Sequence, residues 1–260
     1  MIVVCGKWVA TDGDERWAGV SDADRAALET ALRLGEAAGD AVTVATVGEP
    51  AAEHALRSAL AAGASHVVRI DAPHGLASAA VAGAIATLAA DATWVLCGDA
   101  SADRGTGAVP AFLAAELGAA QALGLVAVEP AGTGPLRVTR RLDGGRREVL
   151  DVASPAVLSV EGAVARLRRA SLPAELAARH APIEQRHGPH APIEHDEIGH
   201  PYRPRPRALA VPAGDALERV RLLTDAAGEP STHADVVTLD PPAAAERILS
   251  TLTQWGSGDP

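Results

Sequence analysis

A chain of 260 residues that is 48% hydrophobic but only 2% aromatic is long enough for a sizeable core, which must come from Ala, Val and Leu in close helix-on-sheet packing. Its formal net charge of -10 excludes general affinity for DNA or RNA, which needs a basic surface. Cys5 and Cys97 form no CxxC pair or zinc-ligand spacing, so a reduced intracellular setting is expected, and no apolar run reaches the length of a membrane span.

The start, MIVVCGK, enters a strand directly instead of a basic-then-apolar signal peptide, and a cytoplasmic location is expected. Short β-rich runs then alternate with Ala/Leu-rich helices: IVVC, Ser21 to Glu36, VTVATV, Pro50 to Ala62, HVVRI, Leu76 to Ala90 and TWVLC. That rhythm predicts a Rossmann-like α/β fold, a parallel sheet with crossover helices. Ser21 and Asp24 have the spacing of a capping box, and Asp22 and Asp24 sit at the positive end of the helix, so capping and ligand contact are both open readings.

The next segment, GDASADRGTGAVPAFLAAELGAAQ, passes from the strand through small polar residues into a helix. At the carboxyl ends of parallel strands a helix N-terminus offers unpaired N–H groups to an anion. Gly98, Gly105 and Gly107 allow tight turns and close backbone approach, and Ser101 and Thr106 add hydroxyl donors, which together make the parts of a phosphate cradle. Asp103, an acid beside that cradle, is expected to shape the loop or contact a sugar. Pro110 suits the first helical turn, with Val109, Phe112, Leu113 and Leu117 as the buried stripe. The loop is neither GxGxxG nor a P-loop, and a purely structural turn is the competing reading.

Beyond Gln121, LRVTRRLDGGRREVLDVASPAVLSV predicts two or three strands joined at DGG, an antiparallel extension of the sheet. A stretch rich in His and Pro follows, with HAPIE at 180–184 and again at 190–194. The expected organisation is an α/β domain over 1–180, a linker over 181–207 and a C-terminal arm over 208–260. The arm ends in an amphipathic helix with Ile248, Leu249, Leu252 and Trp255 on one face. His180, His187, His190, His195 and His200 have the chemistry of transition-metal ligands, but their loose spacing in a Pro-rich stretch favours a mobile linker, which is the expectation.

Four blocks in order resemble the beta subunit of electron transfer flavoproteins. VVCGKWV is similar to the family's first strand with its Lys, here Lys7, and SDADRAALETALRLGEA to its Asn-Pro-Phe-Asp-Glu segment. VTVATVGEPAAEHALRSALAAGASHVVRI follows the second strand, helix and third strand, and GDASADRGTG resembles the family's Gly-Lys-Gln, Asp and Gln-Thr-Gly loop. The likeness continues through RRLDGGRREVLDVASPAVLSVEGAVARLRRASLPAELAAR and covers roughly the first two thirds of the chain. The composition and the ending ERILSTLTQWG look more like an actinobacterial branch, such as the form associated with mycofactocin redox systems.

The resemblance implies an adenine nucleotide alpha hydrolase-like fold and a heterodimer with an alpha subunit. In such a pair alpha carries the redox FAD, beta carries AMP or a second FAD, and electrons pass from a dehydrogenase to a downstream acceptor. By position, Cys5, Ser21, Asp22, Ala23, Asp24, Val47 and the loop from Gly98 to Gly107 would line the beta nucleotide site. Leu172 matches the leucine with which the family anchors its dehydrogenase, and an ordinary helix-start leucine is the alternative. Two departures stand out: Ser21, Asp22 and Ala23 replace Asn, Pro and Phe, and Gly98-Asp99-Ala100 replaces Gly-Lys-Gln, an acid for a cation.

Trp8 and Trp17 fall in the loop after the first strand, where covering a flavin edge and packing at the subunit boundary are both open and packing is the default role. Arg166, Arg168 and Arg169 are read as partner-steering or solvated surface charges. No nucleophile, base and orienter set emerges, so the chain is expected to be a carrier subunit and not a stand-alone catalyst. The competing function is a nucleotide-binding regulatory module resembling universal stress proteins, against which the hairpin and the long arm argue. An enzyme acting on an activated nucleotide ranks third.

Overall fold

Strand β1 (Ile2–Cys5) sends Ile2 and Val4 to one face of a sheet and Val3 and Cys5 to the other, and each set joins a different buried cluster. This two-sided burial is what a parallel strand covered by helices on both faces requires. The computed structural model describes residues 1–10, 18–73, 75–129, 134–189, 214–223 and 237–254. The chain divides into a main unit, Met1–Glu197, and a C-terminal unit, Ile198–Pro260.

In the main unit β1 is followed by a two-stranded ribbon, β2 (Trp8–Val9) with β3 (Gly19–Val20), then α1 (Asp22–Ala38), β4 (Val42–Gly48), α2 (Glu53–Ala62), β5 (His66–Asp71), α3 (Ser78–Ala89), β6 (Trp94–Gly98) and α4 (Val109–Leu117). β7 (Ala120–Glu129), β8 (Leu136–Arg141), β9 (Arg147–Val152), β10 (Ala156–Val160), α5 (Leu172–His180) and β11 (Glu184–His187) complete it. Among the described residues the sheet has nine strands in the order β11-β5-β4-β1-β6-β10-β7-β8-β9. β7, β8 and β9 pair antiparallel, and every other neighbouring pair is parallel.

Helices α1 and α2 pack on one face through Ala27, Ala31, Leu32 and Leu56, and α3 and α4 on the other through Ala82, Ile85 and Leu113. The chain therefore winds toward β4 and β5 on one side of β1 and toward β6 on the other. The gap between the ends of β1 and β6 is a topological switch point, where open α/β sheets bind ligands.

Several elements differ from the sequence expectation. β7 was not expected, and β10, expected in the antiparallel extension, instead inserts parallel between β6 and β7. Glu184–His187, placed in the linker, forms β11 on the edge of β5, where a polar strand is tolerated. Phe112 is 46% exposed while Leu113 is fully buried. The buried stripe of α4 runs through Pro110, Leu113 and Ala114 with Val109 and Leu117 packed beside it, and Phe112 lies outside that stripe.

Arg168 is neither a free steering charge nor a solvated one. Its backbone N–H and Nε reach the buried Glu29 at 3.1 and 3.0 Å, and its guanidinium also pairs with Glu36. Burial would raise the Glu29 carboxyl, but hydrogen bonds from Arg168 and Arg33 hold it below the ordinary carboxylate range. The segment before α5 is thereby clamped to α1. The far end of α5 is held by Arg57, which donates to the carbonyls of Ala178 and Arg179 at 3.0 and 2.9 Å.

In the C-terminal unit, α6 (Ala216–Leu223) starts from a reciprocal cap. Asp215 accepts from Leu217 and Glu218, and Glu218 accepts from the Asp215 N–H. α7 (Pro241–Gln254) begins with Asp240 accepting from the Ala243 N–H at 3.0 Å, and it leaves Ile248 and Leu249 more than half exposed. The Leu252 side chain and Trp255 lie outside the described residues, as do Trp17, His190, His195 and His200. No helix among the described residues is long and apolar enough to cross a membrane.

Candidate functional site

A cavity of about 580 Å³ opens at the switch point. β1 and the residues after it supply Cys5, Gly6, Lys7 and Trp8; the end of β4 supplies Val47 and Gly48; the end of β6 supplies Cys97 and Gly98. Val81 and Ile85 of α3 form an aliphatic wall, with the Ser78 hydroxyl at the start of the helix. The loop from Ala100 to Ala108 and the first residues of α4 close the remaining side.

The loop into α4 is built for backbone approach. Gly105 and Gly107 have φ of 60° and 57°, the left-handed region open to glycine. A Cβ on Gly107 would stand 2.5 Å from the Asp99 carbonyl oxygen, so glycine is needed there for space as well as for conformation. α4 starts at Ala108 without a side-chain cap. Among the described residues the N–H groups of Gly105, Thr106 and Gly107 donate to no protein acceptor. Thr106 and Gly107, whose N–H groups are free, line the cavity beside the positive end of a nine-residue helix.

Asp24 does something the capping-box reading missed. Its N–H donates to Ser21 Oγ at 3.0 Å, but its carboxylate does not turn back to complete the box. Oδ2 accepts from the Lys7 N–H at 3.1 Å and Oδ1 from the Gly98 N–H at 3.3 Å, stapling α1 to the ends of β1 and β6. Gly98 makes room for this, since a Cβ would meet Asp24 Oδ1 at 2.5 Å. Burial pushes the Asp24 carboxyl up from 3.8 to about 6, against the lowering pull of the Lys7 N–H, the Ser21 hydroxyl, the Gly98 N–H and the Lys7 charge.

Across the cavity mouth Lys7 Nζ pairs with Asp103 Oδ2 at 2.6 Å. Partial burial raises the Asp103 carboxyl, but Lys7, the Ser101 hydroxyl and the Arg104 N–H outweigh it and hold it well below the ordinary range. Asp103 therefore braces its own loop while neutralising Lys7. Arg104 donates to the Leu76 carbonyl and ties the same loop toward α3. On the floor, Cys5 and Cys97 are in-register neighbours and both are free and buried. The Cys5 thiol beside it and burial push the Cys97 thiol up, so it stays protonated and unreactive.

Of the residues singled out from sequence, the cavity gathers Cys5, Asp24, Val47 and Gly98 with Ser101, Asp103, Thr106 and Gly107. Ser21, Asp22, Ala23 and Gly105 are not in its lining. Ser21 caps α1, Asp22 is exposed and pairs with Arg25, Ala23 is buried and stands close to Gly98, and Gly105 shapes the loop from behind. Leu172 is on α5, 71% exposed, with Leu176 48% exposed one turn on. Sequence reading gave Trp8 packing as its default role and missed the α3 wall, although both belong to the cavity. Their only signal was proximity to strand ends, and α3 is apolar enough to read as plain core.

Residues 12–190 match the electron transfer flavoprotein domain family. The chain is 32% identical over 243 residues to the electron transfer flavoprotein subunit beta of Chromohalobacter salexigens, covering 89% of this chain and 86% of that one. It is also 32% identical over 163 residues to the subunit of the same name from Syntrophomonas wolfei, covering 62% and 64% of the two chains. Fold and comparison agree: the chain belongs to the electron transfer flavoprotein family, as a beta subunit with a role in electron transfer.

Proposed function

We propose that this chain holds an adenine nucleotide, AMP or a second FAD, in the switch-point cavity and pairs with an alpha subunit carrying FAD to move electrons from a dehydrogenase to a downstream acceptor. The observation that supports nucleotide binding most directly is the pair of unpaired N–H groups at Thr106 and Gly107, both in the cavity lining, before the uncapped start of α4. Such donors fit a phosphate, and the Ser101 and Thr106 hydroxyls add to them. The volume is within the range of about 300–1,000 Å³ typical of small-ligand sites.

Redox chemistry in the pair belongs to the flavin when bound. This chain's residues bind and orient. Asp24 keeps the walls of the cavity together, the loop and α4 hold the phosphate, and Lys7 supplies a cation whose charge Asp103 balances. Leu172 and Leu176, one turn apart on a helix held at both ends by arginines, offer a preorganised apolar ridge to the dehydrogenase. The Ile248 and Leu249 face of α7 suits an apolar groove on the alpha subunit.

The test is co-expression with candidate alpha subunits followed by native mass spectrometry. A one-to-one complex containing flavin is expected. A chain that stays monomeric with every candidate overturns the proposal.

A further inference from the structure

The cavity contains one group that the phosphate cradle does not use. Trp8 is, among the described residues, the only aromatic side chain lining it, in a chain with an aromatic content of 2%. Its position is fixed by structure on both sides. Trp8 pairs with Val20 in the β2–β3 ribbon, and the next residue, Val9, is 5% exposed, so alternation turns Trp8 away from the core that anchors its neighbour. The indole is backed by the His54 imidazole, with ring centroids 5.4 Å apart and planes at 35°.

The two ends of the cavity differ in chemistry. At the β6 end stand Gly98, Gly107 and the start of α4, which are polar and rich in donors. At the β4 end Trp8 joins the apolar Val47, Ala51 and Ala52, with Glu49 the charged residue among them. β4 and β6 flank β1, so their ends are two strand spacings apart, about 10 Å. A ligand with a phosphate at one end and a flat apolar ring at the other matches that layout.

We infer that Trp8 is the wall on which the base of the bound nucleotide stacks, so that the site selects a phosphate ester carrying a planar aromatic ring over a bare sugar phosphate. This rests on the nucleotide reading above. Aliphatic neighbours bury a ring without distinguishing it from any other apolar group, whereas an indole face adds a π contact that rings alone can make. The backing by His54 keeps the indole from following the ligand out, which preorganises the face.

The test titrates nucleotide-free full-length chain with AMP, with FAD and with ribose 5-phosphate, by calorimetry and by tryptophan emission, in the wild type, Trp8→Phe and Trp8→Leu. Trp8→Leu is expected to weaken AMP on the order of 10-fold while ribose 5-phosphate stays within about twofold, in keeping with the usual cost of losing one base–aromatic stack. AMP should change the emission of the wild type but not of Trp8→Phe, which still binds it. Undiminished AMP binding by Trp8→Leu, equal losses of both ligands, or an unaltered emission response in Trp8→Phe overturns the inference alone. Binding of neither AMP nor FAD by the wild type overturns the nucleotide reading and the inference together.

Discussion

Asp24 and Gly98, 74 residues apart in the chain, meet where the Gly98 N–H donates to Asp24 Oδ1 at 3.3 Å. The other oxygen, Oδ2, accepts from the Lys7 N–H at 3.1 Å. One buried carboxylate thus closes two strand ends that would otherwise present unpaired donors, and it sets the inner wall of the cavity.

That carboxylate carries a pH signature. A carboxyl whose folded pKa is raised supports the fold fully below its unfolded pKa, and the contribution is lost as pH rises through the folded value. With a shift from 3.8 to about 6, Asp24 weakens the fold by up to about 3 kcal/mol as pH climbs through that window. Asp24→Asn does not titrate. Its stability relative to wild type, from urea unfolding at a series of pH values, should therefore rise between about pH 4 and pH 6. A difference that stays flat across the window contradicts this.

Gly107 is the residue on which the cradle depends. Gly107→Val places a side chain at φ 57° and against the Asp99 carbonyl, so it should lose nucleotide and cost about 1–3 kcal/mol of stability. Gly98→Ala is the control. Its clash is with Asp24 and Ala23 on α1, so the melting temperature should fall with a smaller loss of affinity in whatever remains folded. Nucleotide held at normal affinity by Gly107→Val would refute the cradle.

Asp103 competes with a ligand phosphate for Lys7. Asp103→Asn keeps an acceptor for the loop donors but removes the charge, and Lys7 is then free to face the phosphate. Calorimetry should show AMP binding several-fold tighter, with a steeper salt dependence. Weaker binding would mean that the ion pair is needed to hold the loop in its binding shape.

The C-terminal helix is amphipathic but too short to be stable by itself in water. Burial of Ile248 and Leu249 is worth about 1.5–3 kcal/mol each before ordering costs. Deleting Pro241 to Pro260 should weaken the heterodimer by at least about tenfold and leave the melting temperature of the isolated chain unchanged. A lowered melt with intact association would instead make the arm a cap on its own chain.

Much of this fold is readable from sequence because β1, β4, β5 and β6 are short runs rich in β-branched and apolar residues, α1 and α2 carry amphipathic stripes, and α3 and α4 are apolar throughout. β7 was hidden because AQALGLVAVE mixes Ala, Gly and Gln, and Gly124 at φ 68° interrupts the strand pattern. The insertion of β10 between β6 and β7 is a matter of strand order, which no local pattern encodes. β11 was masked by polar residues in a His/Pro-rich context. At the site, the loop glycines announced themselves through spacing. The Lys7–Asp103 pair spans 96 positions, and the Asp24 staple imitates a capping box in sequence while its carboxylate serves two other elements.

The most direct measurement is to denature the purified alpha–beta complex and count the AMP and FAD released per heterodimer. One FAD for the alpha subunit together with one further adenine nucleotide, AMP or FAD, is the predicted result, and Gly107→Val in this chain should remove the second nucleotide alone. One FAD with no second nucleotide from the wild-type complex would contradict the assignment of the switch-point cavity as a nucleotide site.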